Sequence, residues 1–568
     1  MTNIVMSLAS YAQARCPVDL TYSPFCHYTY SNLTKVLDNW QVTECDFRKL
    51  VRPFLPPART TASGTDYYAL THDVTKLLKE HSPCLEGRQY VPTSNKVIAS
   101  NKALGVGYPV SALHLGVGDA GWVPPLALER LGVKDDAKAV AVRQIASQLD
   151  DETLPFGQEL CLLRADSAYG KAIFLSPMYD MESMVSIVRL RHGIKVWTKA
   201  DAGLTGGAKR VYGDKFYLTQ TTRWKTYKKK GQPYEVFQQS LSDLPNNEQV
   251  RLASVMGNNR SVLIDIQRWN DLLIRTKDGA SMKKKPMDIV RVEVLDAQTL
   301  KRVFDRPMFI AVSGQRRAQV SSREAHEQYR ERYDVESYYG FAKNAMCMDK
   351  LQTPVAAHID PWLRIVQAAS WLMFSASTQI GQIHCPPWQD YLPKNKAVRE
   401  QPDLRLTIAQ TQRAAHLLFG TFDPTPFLPQ KSKKGKGRKQ GQTQPPKSHH
   451  QVVKKPPKVA KKTTTSTTSI GFLLTLVARF WMRPRFAWLG CVQSLNEIKI
   501  SKSLSFWFSP LANEPNIPIL SGRYGSSDLI ILFFILSFIN TRFLCNSTDS
   551  IGILFLYWLH LEKTSALR

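Results

Sequence analysis

The chain lacks the features that mark several common protein classes. Its nine cysteines are scattered singly from Cys16 to Cys545 without a CxxC pair, which fits a reducing compartment better than a disulfide framework or a zinc site. No HxH or HxxxH spacing is present, so no histidine zinc site is expected. The apolar runs are shorter than the ~20 residues of a membrane-spanning helix, and the N-terminal residues do not resemble a secretory signal. We therefore expect a cytoplasmic protein and do not expect a membrane protein.

Acidic residues are scarce relative to basic ones. Lysine and arginine total 75 against 47 aspartates and glutamates, which gives a net charge of +28. Such an excess favours a polyanionic partner, most often nucleic acid, and an anionic membrane surface is the competing partner. The 568 residues, 43% of them apolar, suffice for two or three domains with a sizeable core.

Hydrophobic patterning divides the chain into regions. Residues 1–62 show no recognition-helix pattern and stay unassigned, with DNA contact as one alternative. Residues 63–420 alternate short apolar runs with helical patterns, including a helix over 133–149, and this alternation predicts an α/β domain. Residues 194–314 read instead as a β-rich insertion. A helix should begin near Ser321, whose spacing to Glu324 fits a capping box, and a second should span 361–379.

The C-terminal part departs from this globular pattern. A basic low-complexity linker is predicted over 421–468, and within it residues 431–462 hold twelve lysines or arginines and no acids, so this stretch should be disordered. Residues 469–568 form an apolar tail. One hypothesis is that the tail is read-through into sequence never selected to fold, and a membrane anchor is the rival hypothesis.

The segment YRERYDVESYYGFAK, residues 329–343, holds the most informative spacing. Tyr329, Arg332, Glu336 and Lys343 stand at offsets of zero, three, seven and fourteen. On one continuous α-helix, at about 100° per residue, these four side chains would share an arc of roughly 60°. A carboxylate beside two cations and a phenol suits a metal ion next to phosphate groups.

Metal-dependent phosphodiester cleavage needs further carboxylates from separate elements. Asp73 follows the apolar segment YYAL and precedes VTKLLKEH, which reads as a helix. Asp166 follows the strand ELCLLRA. Both stand at or near strand ends, where α/β folds place functional residues, and Glu336 would be the third carboxylate.

These residues resemble the DDE transposases of bacterial insertion sequences that carry the YREK signature, YxxRxxxExxxxxxK. Tyr329, Arg332, Glu336 and Lys343 match every position of it, and Asp166 is followed by a small residue and an aromatic, as in that family. The β-rich insertion also lies where the family has one. The segment around Asp73 is only a loose match, and Asp66 is the alternative first carboxylate.

The resemblance implies an RNase H-like catalytic core interrupted by the insertion. It implies that Asp73, Asp166 and Glu336 are catalytic and bind two Mg²⁺ or Mn²⁺ ions, and that Tyr329, Arg332 and Lys343 hold DNA. The expected activity is cleavage of transposon ends followed by strand transfer through 3′-hydroxyl attack. The expected partners are double-stranded DNA, both terminal inverted repeats and target DNA, and a second copy in a homodimer, so that the protein would be nucleoid-associated when bound.

Other interpretations of the same residues stay open. A non-catalytic basic DNA-binding protein, such as a decayed transposase, and a membrane-associated basic protein are the alternatives. Within the insertion, Trp197, Trp224 and Trp269 are candidates for holding a flipped base, although core packing is the favoured explanation for any one of them. The basic runs 223–231 and 282–286 are candidate phosphate contacts or plain solvated loops.

Overall fold

The computed structural model describes residues 2–26, 30–40, 42–93, 103–200, 211–219, 223–229, 232–256, 259–275, 282–383, 405–420, 440–443 and 448–454. The expectations for the apolar tail and for most of the basic linker fall outside these residues.

Helices lie before, between and after the strands. They are α1 (Thr2–Ser10), α2 (Tyr30–Asp38), α3 (Glu44–Val51), α4 (Ala137–Leu149), α5 (Ala172–Asp180), α6 (Ser322–Glu331), α7 (Asp334–Ala345), α8 (Ile359–Ile383) and α9 (Ile408–Gly420).

The strands fall into an early and a late group. The early strands are β1 (Arg59–Thr60), β2 (Asp66–Leu78), β3 (Gln89–Pro92), β4 (Leu104–Gly116), β5 (Pro125–Arg130), β6 (Leu160–Ala165) and β7 (Met184–Arg189). The late strands are β8 (Lys195–Lys199), β9 (Tyr212–Tyr217), β10 (Arg223–Lys229), β11 (Gln232–Ser240), β12 (Glu248–Val255), β13 (Ser261–Leu272), β14 (Met287–Asp296) and β15 (Met308–Ser313).

One large mixed sheet organises the molecule. Its order is β12-β13-β14-β15-β7-β6-β2-β4-β3, with β1 paired to β2 and β5 paired to β4. The strands β2, β6 and β7 are parallel to one another, and β4 lies antiparallel to β2. Every residue of β6 is buried, which is the pattern of a parallel strand covered on both faces. The parallel strands β6 and β7 end at one edge of the sheet centre, and β2 runs beyond them to Leu78.

The late strands lie in two places. Residues 194–314, which the sequence predicts to be β-rich, contain β8 to β15. The strands β12 to β15 continue the large sheet beyond β7, whereas β8 to β11 form a separate sheet in the order β10-β11-β9-β8.

Two apolar clusters cover the large sheet. The larger one, here the large core, contains Leu70 and Leu163 together with buried side chains of α1, α7, α8 and α9. The other, here the small core, contains Ala69, Leu162 and Ile310 and is covered by α6 through Ala325 and Tyr329. Since side chains alternate along a strand, Ala69 and Leu70 belong to opposite faces. The helix α1 packs against α8 and α9, so the N-terminal residues share the large core.

The predicted helix after Asp73 is wrong. The strand β2 continues through this segment to Leu78, paired with β4 as far as Leu78 and Gly107. The β-branched Val74 and Thr75 suit the strand, and this long antiparallel ladder outweighs the local helical periodicity of the segment.

Part of the predicted disordered segment is ordered. The backbone of His450 and Val453 donates to the carbonyls of Pro83 and Arg88, and the Arg88 guanidinium donates to the His450 carbonyl at 2.9 Å. Backbone hydrogen bonds of this kind form whatever the side-chain charge, whereas the prediction of disorder rested on the basic composition. For residues 448–454 that prediction is therefore wrong.

Of the helices in the described ranges, none is both long and apolar enough to cross a membrane.

Candidate active site

Asp73 and Asp166 lie side by side where β6 ends. Asp73 is inside β2 and not near a strand end, where the sequence placed it, because β2 continues to Leu78. The register of β2 with β6 pairs Thr71 with Arg164 and His72 with Ala165. Continuing it by one residue sets Asp73 opposite Asp166, about 5 Å away between neighbouring strands. Asp166 follows the end of β6, and its carboxylate accepts the amide hydrogen of Ala168 at 2.6 Å. Local turn geometry therefore fixes the second aspartate.

Asp66, the alternative first carboxylate, is the first residue of β2. It is exposed, and its side chain accepts a hydrogen bond from the Thr60 hydroxyl at 2.8 Å. This geometry favours Asp73 over Asp66.

The expected single helix through residues 329–343 is two helices. The predicted capping box at Ser321 is confirmed, because its hydroxyl accepts from the Glu324 amide and the Glu324 carboxylate accepts from the Ser321 amide. The helix α6 ends at Glu331, and tight turns such as Val335 amide to Arg332 carbonyl, at 3.3 Å, lead into α7.

The break has a packing cause. Tyr329 belongs to the small core, whereas Val335 and Tyr338 belong to the large core, so the chain must pass around the sheet between them. The four signature side chains therefore do not share one helical face, and that prediction is wrong. Tyr329 is only 8% exposed and is mainly a packing residue.

Arg332, at the break, connects the carboxylates. Its guanidinium donates to Glu336 at 2.8 Å and lies 4.0 Å from the Asp73 carboxylate. It also lies over the Tyr329 ring, 5.7 Å from the ring centre. Arg332 thus links Asp73 on β2 to Glu336 on α7. This ion pairing, and not a shared helical face, relates the signature residues to the first aspartate.

The electrostatics of Asp73 show that the three predicted carboxylates share one environment. Burial raises the pKa of Asp73 to about 6, although the Val74 amide and the Arg332 charge oppose the rise. The negative charges of Asp166 and Glu336 raise this pKa further. The three carboxylates that the sequence singled out, on β2, after β6 and on α7, thus lie close enough for two of them to alter the pKa of the third.

Lys343 lies on the same side of the site. Burial lowers the pKa of its ammonium group, while the charges of Asp349 and Asp73 oppose that effect. Its Nζ lies 5.8 Å from the ring centre of Tyr339. Like Arg332, Lys343 is a partly buried cation close to Asp73.

The donor chemistry fits a divalent cation. Three carboxylates supply the hard oxygen ligands that Mg²⁺ and Mn²⁺ prefer. Burial is the main cause of the raised pKa of Asp73, and the charges of Asp166 and Glu336 add to it, so a bound cation would favour the ionised carboxylate. In the ranges that the structure covers, no three His, Cys, Asp or Glu side chains are grouped closely enough to hold a metal ion. Arg332 bridges Asp73 and Glu336 in this arrangement.

Sequence reasoning missed a supporting ion cluster beneath the carboxylates. Arg59 donates to Glu331 at 2.7 and 2.9 Å, and the fully buried Arg164 donates to the same carboxylate at 2.7 Å. Burial opposes ionisation of Glu331, yet these two cations hold its pKa below the usual range. Arg164 also donates to Thr71 on β2, so the cluster ties β2, β6 and the end of α6 together.

The sequence contains one feature that predicts a buried ion pair at this place. Arg164 stands alone in the apolar run ELCLLRA, and a charged residue in a buried strand requires a partner. The identity of that partner could not be read from the sequence, because Glu331 is 167 residues away.

Residues 41–243 match the family model of a DDE superfamily endonuclease.

The matched range contains Asp73 and Asp166 and ends before Glu336. The match supports a DDE transposase-like protein with nuclease activity, and such an enzyme has DNA as its substrate. The mixed α/β architecture, with its large sheet and covering helices, is consistent with a nuclease-like DDE fold. No curated protein matches the chain.

Of the tryptophans considered for base binding, Trp269 is a core residue. It is 2% exposed and its indole donates to the Leu244 carbonyl at 2.8 Å. Trp224 is 64% exposed and lies beside Phe237 on the β10–β11 hairpin. Trp197 packs edge-on against Tyr212. Only Trp224 keeps a largely accessible ring.

Proposed function

We propose that the chain is a DDE transposase of the YREK type, which cleaves the ends of its own mobile element and joins them to target DNA. The juxtaposition of Asp73 and Asp166 by the β2–β6 register, with Glu336 close enough to alter the pKa of Asp73, carries this proposal. The net charge of +28 suits a DNA partner. Synapsis of two ends implies a homodimer.

We assign the metal ligands to Asp73, Asp166 and Glu336. Two bound Mg²⁺ or Mn²⁺ ions would neutralise charge on the reacting phosphodiester and activate the attacking oxygen. The protein's own part is to hold the three carboxylates together. The β2–β6 pairing holds Asp73 and Asp166, and Arg332 ties Glu336 towards Asp73.

The signature cations hold the DNA backbone in this proposal. Arg332 can offer two parallel donors to a phosphate, while Lys343 acts as a point charge. Contact of Arg332 with phosphate requires it to release Glu336, whose side chain is 47% exposed and would then be available to a cation. Tyr329, buried beneath Arg332, supports that guanidinium through its ring.

Cleavage of DNA that carries the sequences flanking the gene tests the proposal. The full chain with Mn²⁺ should cut this DNA, and Asp166→Ala or Glu336→Ala should lose cutting but keep binding. A chain that binds DNA and never cuts it, in wild-type or variant form, would instead be a non-catalytic DNA-binding protein.

A further inference from the structure

A cavity of about 260 Å³ opens between the extended part of the large sheet and α6. Its walls include Arg189 at the end of β7, Arg302 and Arg306 from the β14–β15 connection, and His326 from α6. Val292 and Met308 form an apolar floor. This cavity contains none of the residues assigned to metal or DNA so far.

The cavity lies at the same edge of the sheet as the carboxylates. The register of β6 with β7 pairs Ala165 with Val188, so its continuation sets Asp166 opposite Arg189. Arg189 also pairs with Ile310 of β15. Because neighbouring strands lie about 5 Å apart, the cavity begins within one or two strand spacings of Asp166. A DNA strand held at the carboxylates would pass beside it.

Positive charge in the cavity is incompletely neutralised. The single acid in the wall, Glu293, is shared by Arg302 at 2.8 Å and by Arg291 at 2.5 Å. Within the part of the chain that the structure describes, neither Arg189 nor Arg306 forms an ion pair, and both are exposed. Burial lowers the pKa of nearby His192, and the charges of Arg306 and Arg189 lower it further, so both cations act on one region.

His326, in the cavity wall, has a buried ring nitrogen without a hydrogen-bond partner among the described residues. The residue is 4% exposed, and the nitrogen concerned is Nδ1. Burial and the Arg330 charge lower the pKa of His326 to about 4, so the ring is neutral at physiological pH. Buried polar atoms in native proteins normally find partners.

We propose that this cavity is a phosphodiester-binding subsite, in which Arg189 and Arg306 hold the backbone of the DNA strand that leaves the carboxylates. The subsite rests on the proposed function, since it takes the same DNA. Guanidinium groups supply paired donors that match phosphate oxygens. The contact is independent of base sequence and positions the strand.

The test compares two double variants of the full chain that lose the same charge. One is Arg189→Gln with Arg306→Gln. The control is Arg143→Gln with Arg323→Gln, two exposed arginines on α4 and α6 that pair with Glu129 and Glu327. Affinity for a fluorescent duplex of arbitrary sequence is measured by anisotropy at several salt concentrations, and thermal melting verifies that each variant is folded.

The cavity variant should bind DNA more weakly, with a slope of log affinity against log salt that is shallower by about two, because each lost phosphate contact removes about one counterion. The control should keep nearly the wild-type slope. Equal slopes for the two double variants would overturn the subsite.

Two further outcomes separate the claims. If inorganic phosphate binds the wild type and not the cavity variant while the DNA slopes are equal, the cavity takes a free anion and the DNA subsite is wrong. If the slopes differ as expected but the wild type never cuts DNA with Mn²⁺, the subsite stands and the proposed transposase activity fails. A wild type that does not bind DNA refutes both.

Discussion

Asp73 and Asp66 lie on the same strand, β2, but their surroundings differ. Asp73 is flanked by Arg332, Asp166 and Glu336, whereas Asp66 is exposed and bonded to Thr60. The sequence left both as candidates for the first carboxylate. It could not decide between them, because the deciding fact is the register of β2 against β6.

Asp73→Asn should lower metal-dependent DNA cleavage by more than about 100-fold, since loss of groups that merely support a metal ligand already costs about 10- to 100-fold. Asp66→Asn, a matched change on the same strand, should leave the cleavage rate within about twofold of wild type. Single-turnover cleavage of labelled DNA measures both. The opposite ranking of the two variants would make Asp66 the ligand.

Metal-free stability should depend on pH through Asp73. Its folded pKa of about 6 lies above its ordinary value of 3.8, so the folded state binds the proton more tightly. The contribution of Asp73 to the free energy of unfolding is therefore largest below about pH 4 and falls as the pH rises through about 6.

Asp73→Asn should remove this fall in the free energy of unfolding, because asparagine does not ionise. At pH 7 the variant should be more stable than the metal-free wild type by about 3 kcal/mol, and the difference should shrink towards pH 4. Urea denaturation at several pH values in EDTA measures it. A variant that is less stable than wild type at pH 7 would show that burial of the ionised Asp73 carboxylate does not destabilise the folded state.

At the scale of elements, the turn between α6 and α7 delivers Arg332 and Glu336 to the strands. The sequence predicted where α6 begins, because a capping box is a local signal. It did not predict where α6 ends, because the break depends on Tyr329 and Val335 packing on opposite sides of the sheet. Helical periodicity alone carries no such information.

The ion cluster of Arg59, Arg164 and Glu331 should hold this turn in place. Glu331→Ala would leave Arg164 buried without its carboxylate, so it should destabilise the protein by about 3–5 kcal/mol. The matched change Glu327→Ala on the same helix breaks only an exposed pair with Arg323 and should cost less than about 0.5 kcal/mol. Chemical denaturation of both variants measures the difference, and equal losses would contradict the role of the cluster.

For the whole molecule, the alternation of short apolar runs with helical patterns predicted an α/β fold with a β-rich stretch. The described structure has both. The sequence did not show that β12 to β15 would extend the large sheet while β8 to β11 would form another. That choice depends on pairing between distant strands, such as β15 with β7.

A chain ending at residue 465 should keep the stability and the cleavage activity of the full chain. Among the described residues, both apolar clusters that cover the large sheet lie within residues 4–419, and the ordered contacts of His450 and Val453 are retained. Thermal melting and DNA cleavage, compared with the full chain, test this. Lost activity in the shorter chain would show that the tail has a function.

We propose that Asp73, Asp166 and Glu336 form one metal site, and titration of the DNA-bound full chain with Mn²⁺, followed by calorimetry, tests this assignment. Two ions should bind to the wild type and to Asp66→Asn, and binding should be lost in Asp73→Asn, Asp166→Asn and Glu336→Gln alike. Undiminished Mn²⁺ binding in any of these three variants would contradict it.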